Sequence, residues 1–305
     1  MSEPAYRPSE RLARLERTPL RPLVSGARGL WRRAFALRCR WLDHRMFRER
    51  AALVLTSPDW AHIEKVADAG KVRGDTQVMH NGLLVLKGSY YGAASVPLLR
   101  KTQGVHEPQE ERVFAAVLPL MPVGAVMVEL GSYWAFYSMW FAKAVPDARC
   151  FMVEPEPGNL EFGRANFELN GLRGEFHRAL VGAEPSPTTD GGAPTISVDS
   201  FCEERGIGRI HLLHADIQGF EMQMLRGAKQ MLAGERIDFL FISTHGEALH
   251  AECRGHLAGM ALTILADVAP RQSYSVDGLI VAARGVLSRP PSVSLSLRPE
   301  QRGTR

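Results

Sequence analysis

Blocks of apolar and polar residues alternate through the middle of the chain and predict a βαβ unit. The apolar run at 125–130 is short and rich in valine, which is typical of a strand buried on both faces, and it ends at Gly131. The aromatic and apolar segment 136–145 has the length of a helix, and Pro146 ends it. A second apolar run, 150–153, then supplies the next strand and completes the unit.

The same pattern continues towards the C-terminal end of the chain. Five more apolar runs predict strands, and the segments between them predict helices or loops. The last two runs are too close in sequence for a parallel crossover, so the last strand must be antiparallel. The pattern therefore predicts an α/β fold with a seven-stranded sheet. The five later strands are predicted at residues 176–181, 209–215, 237–242, 262–266 and 278–283.

The residues that precede this sheet follow another pattern. Asn81-Gly82 lies between the short apolar runs 77–79 and 83–85, which is a strong β-hairpin signal. A hairpin of this kind is expected in a small subdomain that forms a lid or an edge beside the main sheet. The predicted organisation is an N-terminal extension (1–50), the small subdomain (51–104), the main domain (105–286) and a disordered C-terminal tail (287–305).

Charge is distributed unevenly along the chain. The formal net charge is +4, but residues 1–50 contain 13 Arg against 5 acids, so the remaining residues are net acidic, with 24 basic and 28 acidic side chains. Within this basic extension, residues 30–48 predict an amphipathic helix. Such a helix can dock its apolar side on the domain, or lie on an anionic membrane through residues 28–50. A nucleic-acid partner is not expected, because the predicted catalytic domain is acidic.

The sequence predicts a cytoplasmic protein, with peripheral membrane contact as an open alternative. No stretch approaches the ~20 uncharged apolar residues of a transmembrane helix. The first twenty residues hold four Arg and no apolar core, so no secretory signal is expected. The cysteines form no C-x-x-C pair, and reduced thiols are the expected state. They are Cys39, Cys150, Cys202 and Cys253.

Acidic residues and a glycine follow the first two strands of the main sheet, where an α/β fold binds its ligands. Glu154, at the end of the second strand, can accept hydrogen bonds from both hydroxyls of a ribose. Glu129, before the turn at Gly131, can fix that turn or hold an ammonium group through water. The phosphate-binding fingerprint G-x-G-x-x-G is absent, so a dinucleotide is poorly supported. S-adenosylmethionine (SAM), which has a ribose and no phosphate, is the favoured cofactor.

Three separated segments carry a family resemblance. In chain order they read ELGSYWAFYS, VEPEPGNLEFGRANFELNG and LLHADIQGFEMQMLRGA. Over residues 105–284 the chain resembles the FkbM-type SAM-dependent methyltransferases, which carry an acid-x-Gly turn, a later Glu-Pro and an Asp-x-x-Gly-x-Glu segment. The resemblance implies a class I methyltransferase fold: a Rossmann-like seven-stranded sheet with an antiparallel last strand, here with a small N-terminal extension.

The resemblance also implies cofactor-binding residues. Beside Glu129, Gly131 and Glu154, it adds Glu107 of an upstream Glu-Pro, Ser132 of the turn and Pro155 after the second strand. The chain departs from the common pattern at two positions of the turn. There the family usually has a smaller or polar residue and a second glycine, and this chain has Tyr133 and Ala135.

The later strands deliver polar side chains to the same edge of the predicted sheet. Asp216, His245 and Asp267 end the fourth, fifth and sixth strands, and the last strand begins there with Tyr274 and Asp277 close by. Methyl transfer to a hydroxyl needs an aligned nucleophile and gains from a base or a metal ion. We predict Asp216 and His245 as the catalytic residues, and Tyr274 and Asp277 as substrate contacts.

Metal chemistry at this edge is the less favoured alternative. Gln218 stands where the family usually has Glu, so fewer carboxylates are present for a hard cation. His245, His250 and Cys253 have side chains that zinc accepts, but their spacing matches no recognised finger and suits helix packing. No metal is therefore predicted. Asp216 and His245 are instead expected to act together as the general base.

The sequence favours a SAM-dependent O-methyltransferase that acts on a hydroxyl of a sugar, a glycan or a secondary metabolite. Two other functions stay open. One is a SAM-fold assembly partner without transferase activity. The other is an N-methyltransferase, although such enzymes often carry a Pro-Pro-Tyr segment where this chain has Asp216-Ile-Gln-Gly219. The acceptor molecule and the oligomeric state are not determined by the sequence.

Overall fold

Seven strands form one mixed sheet in the computed structural model, which describes residues 45–188, 192–284 and 293–299. Short runs of apolar residues form the strands, and longer amphipathic segments form the helices. The strands are β1 (Val72–Arg73), β2 (Thr76–Val78), β3 (Leu84–Leu86), β4 (Val126–Leu130), β5 (Arg149–Val153), β6 (Glu175–His177), β7 (Leu180–Val181), β8 (Thr195–Ile196), β9 (Ile210–Ala215), β10 (Ile237–Thr244), β11 (Leu262–Val268) and β12 (Gly278–Arg284). The described helices are α1 (45–56), α2 (Val96–Lys101), α3 (Pro108–Val117), α4 (Phe136–Ala144), α5 (Pro157–Leu169), α6 (Val198–Glu204), α7 (Glu221–Gly227), α8 (Lys229–Ala233) and α9 (Glu247–Ala258).

The order of the strands in the main sheet is β11-β12-β10-β9-β4-β5-β6. β4 pairs in parallel with β5 and β9, and β9 pairs in parallel with β10. β12 is antiparallel to both of its neighbours, β10 and β11. This arrangement confirms the predicted seven-stranded Rossmann-like sheet with an antiparallel last strand. The carboxyl ends of β4, β5, β9 and β10 therefore meet at one edge.

The core lies on both faces of this sheet because alternate residues of each strand point in opposite directions. In β4, Met127 packs in one apolar cluster with Phe114 and Phe241, whereas Val128 packs in a second cluster with Phe201. All five residues of β4 are buried. The buried strands explain why the sequence reads as continuous apolar runs here rather than as an alternating pattern.

The third predicted strand, 176–181, is shorter and divided. β6 joins the main sheet, but the chain then leaves it, and β7 pairs with β8 in a separate two-stranded sheet. The N–H of Leu180 donates to the carbonyl of Pro194 at 2.8 Å. The prediction of a single strand at 176–181 was wrong. The apolar residues on the two sides of the break belong to two different sheets.

A hairpin forms around Asn81-Gly82, where β2 and β3 pair antiparallel, and β1 extends this small sheet. Two asparagines of the second family segment attach it to the main domain. Asn166 Oδ1 accepts from the N–H of Leu86 at 2.8 Å, and Asn170 Oδ1 accepts from the N–H of Leu84 at 2.9 Å. These side chains replace the strand neighbour that the edge strand β3 lacks.

Residues 293–299 contact the domain through hydrogen bonds, in contrast to the disordered tail expected for 287–305. The N–H of Ser296 donates to Asp59 Oδ2 at 2.9 Å, and its carbonyl accepts from Gln109 Nε2 at 2.6 Å. Asp59 is fully buried and also pairs with Arg112. The tail assignment therefore does not hold for these residues.

The described residues from Met46 onward belong to one compact unit. In α1 the side chains of Phe47, Ala51 and Val54 share one face and are buried. Most of the predicted basic helix at 30–48 lies outside the described residues, so its contact with a membrane stays a prediction. Among the helices that the structure describes, none is long and apolar enough to cross a bilayer.

Candidate active site

The turn after β4 brings two strand ends into backbone contact. Gly131 has φ +73°, and its N–H donates to the carbonyl of Val153 at 2.8 Å. The N–H of Asp216 donates to the carbonyl of Leu130 at 3.0 Å. A Cβ on Gly131 would overlap the carbonyl oxygen of Asp216 and lie 2.8 Å from its carbonyl carbon. Only glycine fits at this position, because the backbone of Asp216 occupies the space that a Cβ would need.

Two residues of this turn adopt left-handed conformations although they are not glycines. Tyr133 has φ 47° and Ala135 has φ 62°. Such conformations cost on the order of 1–3 kcal/mol each. The Tyr133 N–H donates to Glu154 Oε2 at 3.0 Å, and its hydroxyl accepts from the N–H of Tyr91 at 2.6 Å. Tyr133, at which this chain differs from the usual family pattern, therefore connects the turn to the loop that precedes α2.

Glu154 lies where the sequence places it, at the end of β5 beside the turn. Its Oε1 accepts from the N–H of Glu156 at 2.9 Å and from Asn159 Nδ2 at 3.3 Å. Burial raises the pKa of Glu154, although these hydrogen bonds oppose the shift. The carbonyl of the next residue, Pro155, accepts from Arg178 Nε at 3.2 Å. Both predicted residues thus belong to one hydrogen-bonded edge of the turn.

Glu129 and Ser132 lie deeper in the same turn. Glu129 is buried, and its Oε2 accepts from the Ser138 N–H at 3.1 Å, in the first turn of α4. Burial raises the pKa of Glu129 to about 7, against the opposing effect of nearby His214. The hydroxyl of Ser132 is buried and has no hydrogen-bond partner among the described residues. A buried hydroxyl without a partner is unusual and fits a site that is completed by a polar ligand.

The structure brings the predicted catalytic residues Asp216 and His245 together with two further acids. His245 Nδ1 lies 2.7 Å from Glu221 Oε1, and Nε2 lies 3.2 Å from Asp216 Oδ1 and 3.4 Å from Asp277 Oδ1. We call these four residues the His245 cluster. Their elements are far apart in sequence, since α7, the end of β10 and the start of β12 all contribute.

The charge of His245 follows from these contacts. Burial lowers its pKa, but hydrogen bonds to Asp216 and Glu221, together with the charges of Asp216 and Asp277, raise the pKa to about 11. The ring is therefore an imidazolium near neutral pH. An imidazolium cannot accept a proton, so the raised pKa favours an orienting role for His245, and the base role expected from the sequence stays a prediction. Its contacts fit a residue that orients the carboxylates around it.

The two aspartates of the cluster have different proton affinities. Burial is the largest single influence and raises the pKa of Asp216, but hydrogen bonds from His245 and Gln218 and the charges of His245 and His214 together lower it. Burial raises the pKa of Asp277 to about 6, although His245 opposes the shift. Gln218, which replaces the usual acid, donates its amide to Asp216 Oδ1 at 3.2 Å. Asp277 is thus the carboxylate of the cluster best matched to proton transfer near neutral pH.

Other predicted residues make different contacts. The backbone N–H of Tyr274 donates to Gln109 Oε1 of α3 at 2.8 Å. His250 lies 2.8 Å from Thr244 Oγ1 and 2.9 Å from Asp267 Oδ1, and Cys253 is buried in the core. Within the described ranges, no group of three or more His, Cys, Asp or Glu residues has the arrangement of a metal site.

Glu107 is joined by a residue that the sequence interpretation missed. Its Oε2 accepts from the hydroxyl of Tyr137 at 2.9 Å, and its Oε1 accepts from Arg50 Nη2 at 3.4 Å. Burial raises the pKa of Glu107 to about 7. Arg50 is the residue that the sequence interpretation missed, because the sequence assigned it to a basic extension with many other arginines. Its position three residues after Phe47, on the buried side of α1, is the signal that distinguishes it.

Residues 121–260 match a protein family described as Methyltransferase FkbM domain. No curated protein matches the chain significantly. Similar solved structures include a precorrin-6y C5,15-methyltransferase from Geobacter metallireducens GS-15, with 13% identity, a TM-score of 0.40, and coverage of 57% of this chain and 88% of that chain. A putative O-methyltransferase from Klebsiella pneumoniae has 14% identity, a TM-score of 0.42, and coverage of 57% and 78%. An rRNA methylase from Streptococcus thermophilus has 10% identity, a TM-score of 0.43, and coverage of 58% and 96%.

Proposed function

We propose that this chain, which carries a methyltransferase FkbM domain in residues 121–260, transfers a methyl group from SAM to a hydroxyl of a sugar, a glycan or a secondary metabolite. The domain makes the protein a SAM-dependent methyltransferase. The proposal adds the type of acceptor and the residues that act on it. The observation that carries the proposal is the His245 cluster, in which a carboxylate matched to proton transfer lies at the carboxyl edge of the sheet.

The residues at the first two strand ends fit SAM. When bound, SAM supplies an electrophilic methyl group on a sulfonium. Glu154 is proposed to accept the ribose hydroxyls, because its carboxylate already lies at the end of β5 beside the turn. The unpartnered hydroxyl of Ser132 offers a hydrogen bond within that turn. Gly131, Glu129 and Pro155 keep the turn in place.

Asp277 is proposed to act as the general base. The Asp277 carboxylate would accept the proton of the acceptor hydroxyl, whose oxygen would receive the methyl group that SAM supplies. His245 orients Asp277 and Asp216 through Nε2. A positioned base typically contributes about 10²–10⁴-fold to the rate.

The charge of the edge supports an uncharged acceptor. Three carboxylates, of Asp216, Glu221 and Asp277, surround one cationic ring. A phosphate backbone would be repelled by this excess of acids, since nucleic-acid binding depends on basic side chains. Tyr91 is 48% exposed, and its ring centroid lies 5.3 Å from that of Tyr133. These rings offer an apolar face beside polar groups, which suits a sugar.

Transfer of labelled methyl groups tests the proposal. The protein would be incubated with methyl-labelled SAM and separated pools of glycans, lipids, small molecules, RNA and protein. We expect label in glycans or small molecules, as a methyl ether that survives mild alkali. Label in RNA or on protein nitrogen would overturn the O-methyl assignment. An Asp277→Asn protein is the matched control, since it should bind SAM without labelling the acceptor.

Peripheral membrane contact through residues 28–50 remains a proposal, based on the basic character of the first fifty residues, although the buried Arg50 is not available to a membrane. Removal of residues 1–44 should abolish sedimentation with anionic vesicles and leave SAM affinity unchanged, because Phe47 and Arg50 of α1 remain. High salt should weaken binding of the full chain, since exposed charges are screened over about 8 Å at physiological ionic strength. Equal sedimentation of the two proteins would contradict the proposal.

A further inference from the structure

Arg50 is a buried cation with unused hydrogen-bond donors. Its side chain is 11% exposed, and its guanidinium lies 5.4 Å from the ring centroid of Tyr90 and 5.9 Å from that of Tyr91. Among the described residues, its Nε has no hydrogen-bond partner. The contact with Glu107 at 3.4 Å is long for a charge-assisted hydrogen bond, which is usually 2.7–2.9 Å. An arginine this buried normally satisfies more of its five donors.

Glu107 is the acid that faces Arg50, and both side chains interact electrostatically with aspartates of the His245 cluster. Glu107 Oε2 lies 3.6 Å from His106 Nε2 and accepts from Tyr137. The charge of Asp216 contributes to the raised pKa of Glu107, and the charge of Asp277 stabilises the cationic form of Arg50. The pair is therefore electrostatically coupled to both aspartates of the His245 cluster.

The tyrosines beneath Arg50 connect it to the turn after β4. The ring of Tyr91 packs 5.3 Å from that of Tyr133, and the ring of Tyr90 packs 4.8 Å from that of Trp134. Tyr133 and Trp134 follow directly after Ser132, whose hydroxyl lacks a partner in the described residues. Arg50 and Glu107 thus border the turn on the side that the small subdomain and α1 cover.

We propose that Arg50 and Glu107 bind the amino-acid end of SAM, with Arg50 taking the carboxylate and Glu107 the ammonium group. This inference rests on the proposed function. A planar guanidinium fork matches a carboxylate, and a lone carboxylate matches an ammonium group. The long contact between the two side chains would be exchanged for two charge-assisted contacts. Cofactor recognition then depends on two residues, Arg50 and Glu107, that both precede the FkbM domain of residues 121–260.

Calorimetry with three ligands tests the assignment. The ligands are S-adenosylhomocysteine (SAH), its decarboxylated analogue, which keeps the amine, and 5′-methylthioadenosine, which lacks both groups. Arg50→Gln should lower the affinity for SAH about 10–100-fold, because a hydrogen bond to a charged group contributes roughly 1.5–3 kcal/mol. The same change should leave the affinities for both analogues within about twofold.

Two other variants complete the comparison. Glu107→Gln should weaken binding of SAH and of the decarboxylated analogue, but not of 5′-methylthioadenosine. Arg48→Gln, at an exposed arginine of the same helix, should change none of the three affinities. If Arg50→Gln does not fold, Arg50→Lys keeps the charge without the fork and should show a smaller loss that is confined to SAH.

The outcomes separate this inference from the proposed function. Failure of the parent protein to bind SAH and 5′-methylthioadenosine would overturn both. If the parent binds all three ligands, but Arg50→Gln weakens them equally or not at all, the proposed function stands and the role of Arg50 is overturned.

Discussion

Replacement of Asp277 by asparagine should lower the turnover number about 10²–10⁴-fold, the usual contribution of a general base. The affinity for SAM should stay nearly unchanged, because Asp277 is not among the residues proposed to hold SAM. Rapid-quench single turnovers at saturating SAM measure the chemical step directly. Asp216→Asn should also lower the rate, since Asp216 shares the Nε2 of His245 with Asp277.

The matched control is Asp267→Asn, at a neighbouring strand end. Asp267 pairs with Arg254 at 2.6 Å and with His250 at 2.9 Å. Its replacement by asparagine therefore removes one negative charge without changing a residue of the His245 cluster. Its turnover should match that of the parent. A parental rate in Asp277→Asn would remove Asp277 as the base.

The pH dependence of the parent enzyme follows from the same carboxylate. A base acts in its deprotonated form, and the pKa of Asp277 is raised to about 6, chiefly by burial. The rate should therefore fall as pH drops through about 6 and level off above it. His245→Ala removes the cation that lowers the pKa of Asp277, so its profile should shift to higher pH. A lowered rate without that shift would indicate that His245 does more than orient the aspartates.

Replacement of Gly131 by alanine should destabilise the protein by more than about 4 kcal/mol, which is exceptional for a single substitution. The left-handed conformation alone costs an alanine roughly 1–2 kcal/mol. The rest comes from overlap between the new Cβ and the carbonyl of Asp216, which is backbone and cannot rotate away. Thermal unfolding should show a decrease in Tm on the order of 10 °C.

Gly124 provides the control for this substitution. It has φ +76°, close to the +73° of Gly131, but no atom lies within 4 Å of a Cβ built on it. Gly124→Ala should therefore cost only the conformational term of about 1–2 kcal/mol. SAM affinity should fall in Gly131→Ala and not in Gly124→Ala. Equal decreases in Tm in the two variants would show that overlap with the Asp216 carbonyl adds nothing to the destabilisation.

Local sequence determined the architecture of this protein. The apolar runs at β4, β5, β9, β10 and β12 are buried strands whose neighbours along the chain encode the turns between them. A glycine at the end of β4 and acids at the strand ends were sufficient to predict the edge of the sheet where ligands bind. Such features depend on contiguous residues and on the two periodicities of backbone geometry, so they can be read without a structure.

Only the tertiary structure decided what the site residues do. The charge of His245 depends on burial and on Glu221, which is 24 positions earlier, and on Asp277 at the start of β12. Arg50 contacts Glu107 across 57 positions, from a helix that the sequence assigned to a basic extension. Proton affinity and charge pairing depend on distance and solvent exclusion between residues that folding brings together, and no local pattern in the chain encodes either quantity.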